Sequence, residues 1–309
     1  MNIGKKSTKN TKSKMEIKAL KTYFFNSLKN IQEEQEIESF FFILTEYLHN
    51  LKRVDVALNP NFELSEDDVK KWNAILADLQ QEKPIQYITG EAWFYGLRFE
   101  VNENTLIPRP ETEELVEFIL KETSNFQLPA SSLNILDIGT GSGCIPISLK
   151  ANLPQANVSA IDVSEKALEV AKRNAQSNKV EVNFIQANIL EVEDLSKLPL
   201  HNAQNLLPLD IIVSNPPYVR NLEKQEIKKN VLDYEPHLAL FVEDTDALLF
   251  YRKIAQLALK NLAPNGLLFF EINQYLGKET VELLQNLGFN TIELKKDIYG
   301  NDRMIRCSI

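Results

Sequence analysis

Metal-binding and disulfide-forming residues are scarce in this chain. Its 309 residues include two cysteines, Cys144 and Cys307, which are too few for a disulfide framework and exclude the small disulfide-stapled folds. The three histidines, His49, His201 and His237, are scattered, and none has the spacing of a metal-binding motif. We therefore expect no metal site and interpret each histidine as a surface or packing residue.

Long apolar runs are also missing. No stretch approaches the roughly 18 consecutive apolar residues that indicate a membrane-spanning helix. The start of the chain has no signal-peptide pattern of charged, apolar and small residues. With 44% hydrophobic residues the chain can bury a sizeable core, and its length favours two domains. These features predict a cytoplasmic protein with no membrane partner.

Basic residues are outnumbered by acidic ones. There are 34 lysines and arginines against 43 aspartates and glutamates, which leaves a net charge of −9. The first 14 residues contain five lysines and no acidic residue, so the rest of the chain carries −14. Residues 1–14 are polar and are predicted to form a disordered basic tail. An acidic body does not attract the phosphate backbone of nucleic acids, so we expect no direct nucleic-acid partner.

The segment that follows the tail is predicted to be a helical domain, over residues 15–83. Apolar residues recur at helical spacing in Ile17–Leu28 and Ile37–Leu51. Ser65, followed by three acidic residues, is a typical helix start. Residues 84–107 are rich in aromatic and β-branched residues around a glycine, which predicts a β-hairpin that links two domains.

Helix and strand patterns alternate in residues 108–309, which form the predicted second domain. Strands are predicted at Leu133–Leu136, Val158–Asp162, Val182–Gln186, Leu209–Ser214, Gly266–Ile272, Thr291–Asp297 and Arg303–Ile309. A turn at Tyr299–Asp302 makes the last two strands antiparallel. The order predicts an α/β fold, with a mainly parallel, doubly wound sheet and an antiparallel last strand.

A glycine-rich turn follows the first strand of this domain. Asp137–Gly143 reads Asp-Ile-Gly-Thr-Gly-Ser-Gly, and the residues from Cys144 onward begin a helix. A strand, a glycine turn and a helix N-terminus together form a nucleotide-type loop, although an ordinary structural turn is the alternative. The dinucleotide motif requires its third glycine where this chain has Cys144, and no P-loop pattern occurs.

Polar residues at the ends of the next two strands support a nucleoside ligand. Asp162 lies 21 residues after Gly141, where an acidic residue can accept both ribose hydroxyls. Its alternative role is to cap the next helix, but Ser164 is the better cap, which leaves Asp162 free. Asn188 could bind an adenine amine, and Ile189 could cover the face of the adenine ring. The alternative is that Asn188 is an ordinary loop residue.

Residues 215–218 read Asn-Pro-Pro-Tyr, directly after the strand Leu209–Ser214. Neither proline has an N–H to donate, so the Asn215 side-chain oxygen and nearby carbonyls make the segment rich in acceptors. The ring of Tyr218 supplies a flat face beside them. Such a site suits a planar amino group, and the alternative is a proline-rich turn that ends a strand.

These motifs together resemble a Rossmann-like, class I S-adenosylmethionine methyltransferase that acts on amino groups. Further segments narrow the resemblance to the release factor glutamine methyltransferase (HemK-type) family, and it covers about residues 17–309. Those segments are Pro84–Gly90, Phe94–Val101, Ile107–Glu113 and Tyr234–Leu240.

The resemblance implies a small helical N-terminal domain for substrate recognition and a seven-stranded catalytic domain. It implies methylation of the glutamine N5 atom in the Gly-Gly-Gln motif of peptide chain release factors, an event of translation termination, with S-adenosylmethionine as donor. The implied catalytic residues are Asn215, Pro216, Pro217 and Tyr218. The implied donor-binding residues are Gly139, Thr140, Gly141, Ser142, Gly143, Asp162, Asn188, Ile189 and Asn215.

Two departures from the family pattern affect these expectations. The family often has an acid and an aromatic residue where this chain has Asn188 and Ile189, which affects the adenine contacts. The family commonly has Glu-Ile-Gly where this chain has Glu271-Ile272-Asn273, and asparagine tolerates the positive φ that such a glycine turn needs.

Three other functions fit parts of the pattern. A nucleic-acid adenine-N6 methyltransferase also binds an exocyclic amine, but the acidic body disfavours it. A ribosomal-protein glutamine methyltransferase shares the Asn-Pro-Pro-Tyr segment, and Ile107–Glu113 favours the release-factor type instead. A non-catalytic S-adenosylmethionine-binding regulator has no need of an intact Asn215–Tyr218 segment.

Overall fold

The computed structural model describes residues 15–124, 133–200 and 208–309. The predicted basic tail, residues 1–14, and His201 lie outside the described residues. Contacts divide the chain into two compact units, with the boundary between Thr89 and Gly90. No helix among the described residues is both long and apolar enough to cross a membrane.

The first unit is built almost entirely from helices. Ser65 begins the fourth helix as predicted, because its hydroxyl accepts a hydrogen bond from the Asp68 N–H at 3.1 Å. Two short strands pair antiparallel. The elements are β1 (Met15–Glu16), α1 (Ile17–Leu28), α2 (Glu34–His49), α3 (Arg53–Leu58), β2 (Glu63–Leu64), α4 (Glu66–Gln80) and α5 (Ile85–Thr89).

An aromatic cluster forms the core of this unit. Trp72 is buried, with the rings of Phe24 and Phe41 at centroid distances of 5.6 and 5.3 Å. Its indole Nε1–H donates a hydrogen bond to His49 Nε2 at 2.9 Å. His49 is therefore a packing residue, as the sequence indicates, and it is an acceptor in its neutral form.

The predicted linking hairpin over residues 84–107 is shorter in the structure. Its strands are β3 (Glu91–Phe94) and β4 (Leu97–Glu100), which pair antiparallel. The residues before them form α5, whose Ile85 is buried in the core of the first unit. The helix stops there because Gly90 has a φ of +73°, and a left-handed residue ends a helix.

The second unit alternates strands and helices. Among the described residues of this unit, short 3-10 helices lie in the connections at Leu195–Lys197, Asn221–Glu226 and Asp244–Asp246. Its other elements are α6 (Pro110–Thr123), β5 (Asn134–Ile138), α7 (Cys144–Asn152), β6 (Asn157–Asp162), α8 (Glu165–Ser177), β7 (Asn183–Gln186), β8 (Leu209–Ser214), β9 (Val219–Arg220), α9 (Lys229–Tyr234), α10 (His237–Leu240), β10 (Phe241–Val242), α11 (Leu249–Asn261), β11 (Leu262–Glu271), α12 (Gly277–Leu287), β12 (Ile292–Lys296) and β13 (Asp302–Ser308).

Seven of these strands form one sheet, in the order β12-β13-β11-β8-β5-β6-β7. The neighbouring pairs from β11 to β7 are parallel. β13 is inserted between β11 and β12 and is antiparallel to both. The predicted α/β class and the mainly parallel sheet with an antiparallel last strand are therefore confirmed.

The sheet is buried on both faces. Along β8, Ile211 and Val213 pack into one hydrophobic cluster and Ile212 packs into the other. In β11, Phe269 and Phe270 face the two clusters in the same alternating way. Burial on both faces explains why these strands are continuous apolar runs in the sequence. The polar residues that the sequence singled out lie at the carboxyl ends of the strands, where the loops begin.

Candidate active site

The carboxyl ends of β5, β6 and β8 border a cavity of about 280 Å³. This volume is near the lower end of the range for small-molecule sites. Four separate stretches of chain that the sequence singled out line it: Gly139–Ser142, Asp162, Asn188 with Ile189, and Asn215–Pro217. Of the predicted site residues, Gly143 and Tyr218 lie outside this lining.

The glycine turn is held against the end of β6. The N–H groups of Gly139 and Thr140 donate to the Ile161 carbonyl at 2.8 and 3.0 Å. The Gly141 N–H donates to Asp162 Oδ2 at 2.8 Å. Gly141 has a φ of +55°, which glycine adopts without strain. The turn and the acidic residue are therefore one rigid unit on one side of the cavity.

Gly143 has a packing role behind the turn. It precedes α7 with a φ of +81°. A Cβ atom at this position would lie 2.9 Å from Ile147 Cδ1 and 3.1 Å from Ala171 Cβ. Its small size therefore allows the start of α7 to approach α8 closely, and the structure places it away from the cavity rather than in its lining.

Asp162 is not free of local hydrogen bonds, contrary to the expectation from the sequence. Ser164 caps α8 as predicted, by accepting from the Ala167 N–H. Asp162 nevertheless accepts from Ser164 N–H at 2.9 Å as well as from Gly141 N–H. Each carboxylate oxygen still has a lone pair for a ligand hydroxyl. Burial raises the pKa of the Asp162 carboxyl above its ordinary value.

Asp137 is the acidic residue whose role the sequence reasoning missed. It begins the glycine turn, is fully buried, and neither of its carboxylate oxygens has a hydrogen-bond partner within the described residues. Burial raises the pKa of Asp137 to about 7 against the lowering effect of the nearby Thr140 hydroxyl, and the Asp162 charge contributes to the rise. The buried Thr140 hydroxyl is also unpartnered in the same part of the chain. The available signal was an acid at the end of an otherwise apolar strand.

Asn188 and Ile189 line the cavity, on the side formed by the loop after β7. The Asn188 side chain is engaged locally, because its Oδ1 accepts from Leu190 N–H at 3.2 Å and its Nδ2 donates to Glu191 Oε1 at 2.9 Å. Ile189 is 8% exposed. Ile189 therefore offers an apolar contact to a ligand, and Asn188 mainly holds its own loop together.

Asn215 is half-buried at the cavity, and its side chain is anchored by Thr112, which also lines the cavity. Its Nδ2 donates a hydrogen bond to Thr112 Oγ1 at 3.3 Å. The Thr112 hydroxyl donates in turn to Glu271 Oε2 at 2.6 Å. Thr112 and Glu271 are 3% and 1% exposed. Neither residue was assigned to the site from sequence, because they lie 103 and 56 positions from Asn215.

Tyr218 occupies a different place from the flat face that the sequence predicted. Its ring packs against the hydrophobic cluster beside β8 and β11, and its hydroxyl donates to Glu271 Oε1 at 3.2 Å. A buried tyrosine hydroxyl needs a polar partner, and Glu271 provides one. Burial raises the pKa of Tyr218, and the nearby Glu271 charge raises it further, so the hydroxyl remains a donor.

Segments before and after the glycine turn are joined by an ion pair between half-buried Arg109 and buried Glu235. Arg109 Nη2 lies 2.5 Å from Glu235 Oε1, and Glu235 Oε2 accepts from the Ile107 N–H at 3.1 Å. Arg109 and Pro236 both line the cavity. In the sequence these segments indicate only the family resemblance. The structure shows that they meet at the cavity because one carboxylate satisfies both donors.

Asn273 does not adopt the expected positive φ. It is buried, and its Nδ2 donates to the Tyr218 carbonyl and to Glu223 Oε2, both at 2.9 Å. Its Oδ1 accepts from the Tyr275 N–H at 2.9 Å. The asparagine therefore holds the end of the Asn215–Tyr218 segment through its side chain, which a glycine cannot do.

The fold and this cavity define an α/β methyltransferase. Residues 118–237 match the model of the Methyltransferase small domain, and residues 20–90 match the PrmC N-terminal domain. A release factor glutamine methyltransferase of Flavobacterium psychrophilum is 60% identical over 94% of this chain and 99% of its own length. A release factor glutamine methyltransferase of Bacteroides thetaiotaomicron is 40% identical over 92% of this chain and 96% of its own length. This chain belongs to the release factor glutamine methyltransferase family.

Among solved structures, a methyltransferase from Pyrococcus furiosus is similar in fold. The match covers 76% of this chain and 98% of that chain, with 20% sequence identity and a TM-score of 0.47.

Proposed function

We propose that this protein methylates the N5 amide nitrogen of the glutamine in the Gly-Gly-Gln motif of peptide chain release factors. The donor is S-adenosylmethionine, the acceptor is the release factor itself, and the compartment is the cytoplasm. The observation that carries the proposal is the Asn215 side chain, held at the cavity through Thr112. The two relatives named above, which bear the same activity in their names, support the substrate.

The residues beside the cavity fit the donor. Asp162 retains lone pairs for ribose hydroxyls, and Ile189 offers an apolar contact for the adenine. The unpartnered carboxylate of Asp137 suits the α-ammonium of the methionine part, because a buried charge requires a partner. The donor supplies an electrophilic methyl group on a cationic sulfur, whose bond breaks with the electron pair left on sulfur.

The chemistry is demanding because an amide nitrogen is a poor nucleophile. In our proposal the Asn215 Oδ1 and the Pro216 carbonyl accept the two N–H hydrogens of the substrate glutamine. These bonds aim the nitrogen lone pair at the methyl carbon and hold the amide in place. Positioning of two reactants can lower a barrier by roughly 7–11 kcal/mol at best. The nitrogen then loses one proton to water, and the product is N5-methylglutamine.

The acceptor oxygens also stabilise charge. As the new bond forms, positive charge grows on the amide nitrogen, and fixed acceptors next to it stabilise that charge without rearranging. Pro216 contributes a carbonyl and no competing N–H, because proline has none. Tyr218 supports this arrangement from behind through its bond to Glu271.

The test is an assay with labelled donor and three acceptors: a release factor, a ribosomal protein and DNA. We expect label only in the release factor, and mass spectrometry of its Gly-Gly-Gln peptide to show one added methyl group on the glutamine. Transfer to the ribosomal protein or to DNA, but not to the release factor, would contradict the proposal. Donor binding without any transfer would indicate a regulator.

A variant of Asn215 tests the mechanism. Asn215→Ala is expected to lower kcat at least 100-fold, because a misplaced nucleophile loses the benefit of positioning. Donor affinity in calorimetry should change less than threefold, since the lost oxygen serves the acceptor. A variant with near wild-type turnover shows that Asn215 is not the acceptor clamp.

A further inference from the structure

We propose that Thr112 and Glu271 are positioning residues that set which atom of the Asn215 amide faces the substrate. The inference rests on the proposed function, in which Asn215 Oδ1 accepts a hydrogen from the substrate amide. It assigns a role to one residue of α6 and one of β11 that the sequence did not place in the site.

The chemistry of each partner fixes the direction of its hydrogen bond. An ionised carboxylate only accepts, so the Glu271 oxygens accept from the Thr112 hydroxyl at 2.6 Å and the Tyr218 hydroxyl at 3.2 Å. A threonine hydroxyl has one hydrogen, and that of Thr112 is used on Glu271. Its oxygen can therefore only accept from Asn215.

The direction of the last bond follows from this. Asn215 must turn its –NH₂ group toward Thr112, which it does at 3.3 Å. The carbonyl oxygen of the same planar amide is then not engaged by Thr112 and is left to accept from a substrate in the cavity, which both residues line. A flipped amide would put two acceptors face to face and present donors to a substrate that itself donates.

Burial strengthens the hydrogen bonds that join Asn215, Thr112 and Glu271. Thr112 and Glu271 are 3% and 1% exposed, so water cannot readily replace a lost partner. Burial raises the pKa of Glu271. The hydrogen bonds from Thr112 and Tyr218 and the charge of the Arg303 guanidinium each act to lower it. Glu271 is also held rigidly, because it ends β11 in the middle of the sheet.

The first experiment compares Thr112→Val and Thr112→Ser. Valine keeps the shape and removes the hydroxyl, so we expect kcat to fall about 10- to 100-fold. The KM for the release factor and the calorimetric Kd for S-adenosylmethionine should change less than threefold. Serine restores the hydroxyl and should return kcat to within threefold of wild type.

A matched control lies on the same helix. Thr123 is buried in α6, and its hydroxyl donates to the Leu120 carbonyl at 2.7 Å, away from the cavity. Thr123→Val makes the same substitution, and we expect an unchanged kcat. A similar loss of kcat in both variants would show a general effect of the helix and overturn the inference.

A second readout does not depend on methyl transfer. The side-chain amide of Asn215 gives a proton–nitrogen NMR signal that is identified by its absence in Asn215→Ala. We expect slow hydrogen exchange at this group in the wild type and in Thr112→Ser, and fast exchange in Thr112→Val. Equal exchange in all three overturns the inference, even if the protein methylates a different acceptor. An inactive wild type with this pattern contradicts only the proposed function.

Discussion

Two buried acids of the catalytic domain show how surroundings decide the role of a residue. Asp137 and Glu271 are both fully or almost fully buried, and burial raises the pKa of each. Glu271 accepts two hydrogen bonds from the protein, whereas the described residues provide none to Asp137. A satisfied carboxylate holds the structure, and an unsatisfied one is available to a cationic ligand.

The first prediction concerns Asp137 and pH. A cationic group of the donor requires the ionised carboxylate, and the pKa of Asp137 in the free protein is about 7. Donor affinity should therefore fall by up to tenfold per unit as pH drops below 7 and Asp137 takes up a proton. It should also fall above about pH 8, where the α-amino group of the donor loses its proton. Calorimetry from pH 6 to 8.5 measures this dependence.

Asp137→Asn should bind the donor weakly at every pH in this range and show no such slope. Asp210→Asn is the matched control, since Asp210 is a buried acid whose Oδ2 accepts from the Asn134 N–H at the opposite end of the sheet. It should keep the wild-type dependence. A flat profile in the wild-type protein would remove Asp137 from the donor site.

At the scale of elements, the start of α7 shows why sequence spacing was informative. The third glycine of the turn comes one residue earlier than in the dinucleotide motif, at Gly143. The structure explains by packing why this position requires glycine, because α7 and α8 approach each other there. The same glycine that allows the approach also has a positive φ.

The second prediction separates these two requirements. Gly143→Ala should lower the free energy of unfolding through its φ of +81° and through contacts at 2.9 and 3.1 Å. Gly300→Ala has a similar φ of +87° but no atom within 4 Å. We expect Gly143→Ala to cost about 1–3 kcal/mol more than Gly300→Ala in urea unfolding. Equal losses would mean that the packing is not tight.

The third prediction concerns the His49–Trp72 contact between α2 and α4. Burial lowers the pKa of His49, so the folded state disfavours the charged imidazole. Its contribution to stability is complete above the ordinary histidine pKa of about 6.5 and is lost as pH falls through the lower folded value. Protonation of Nε2 also removes the acceptor for the Trp72 indole.

Fluorescence can follow this contact, since the chain has two tryptophans and the other, Trp93, is 69% exposed. In a Trp93→Phe background, denaturant unfolding of the Trp72 signal should show lower stability at pH 5 than at pH 7.5. His49→Gln keeps an acceptor that does not titrate, so its pH dependence should be weaker. An identical dependence in both proteins would exclude His49 as the cause.

At the scale of the whole molecule, the cavity belongs to one of the two units. All residues that line the cavity belong to the second unit, after Gly90. The cavity proposed for the donor is thus lined by one unit alone.

The fourth prediction follows from this division. A ligand that binds only the folded state slows local opening where it binds. Saturating S-adenosylmethionine should therefore slow hydrogen exchange in the glycine turn, the end of β6 and the Asn215–Tyr218 segment. Exchange in α1–α4 should be unchanged. Equal protection of both units would show that the donor also acts on the helical unit.

Much of the fold could be predicted because its signals are local. The strand Leu209–Ser214 and the helix Ile17–Leu28 have the predicted bounds, since an apolar run and a helical spacing are visible along the chain. The sequence did not show that the first residues of the predicted hairpin form helix α5, which Gly90 stops. The burial of this helix depends on residues that are distant in the chain. The order of the strands was likewise not readable, as pairing joins residues far apart.

The sequence by itself determined the chemistry that the cavity offers: glycines in a turn, Asp162, and the acceptor-rich Asn215–Pro217. Residue type and local spacing are enough for this, because each motif lies at the end of its own strand. Only the tertiary structure decided which partners those groups have. It placed Tyr218 on Glu271 and Asn215 on Thr112, and it left Asp137 without a protein partner in the described chain. Hydrogen-bond direction and burial depend on distant neighbours, which a linear pattern does not contain.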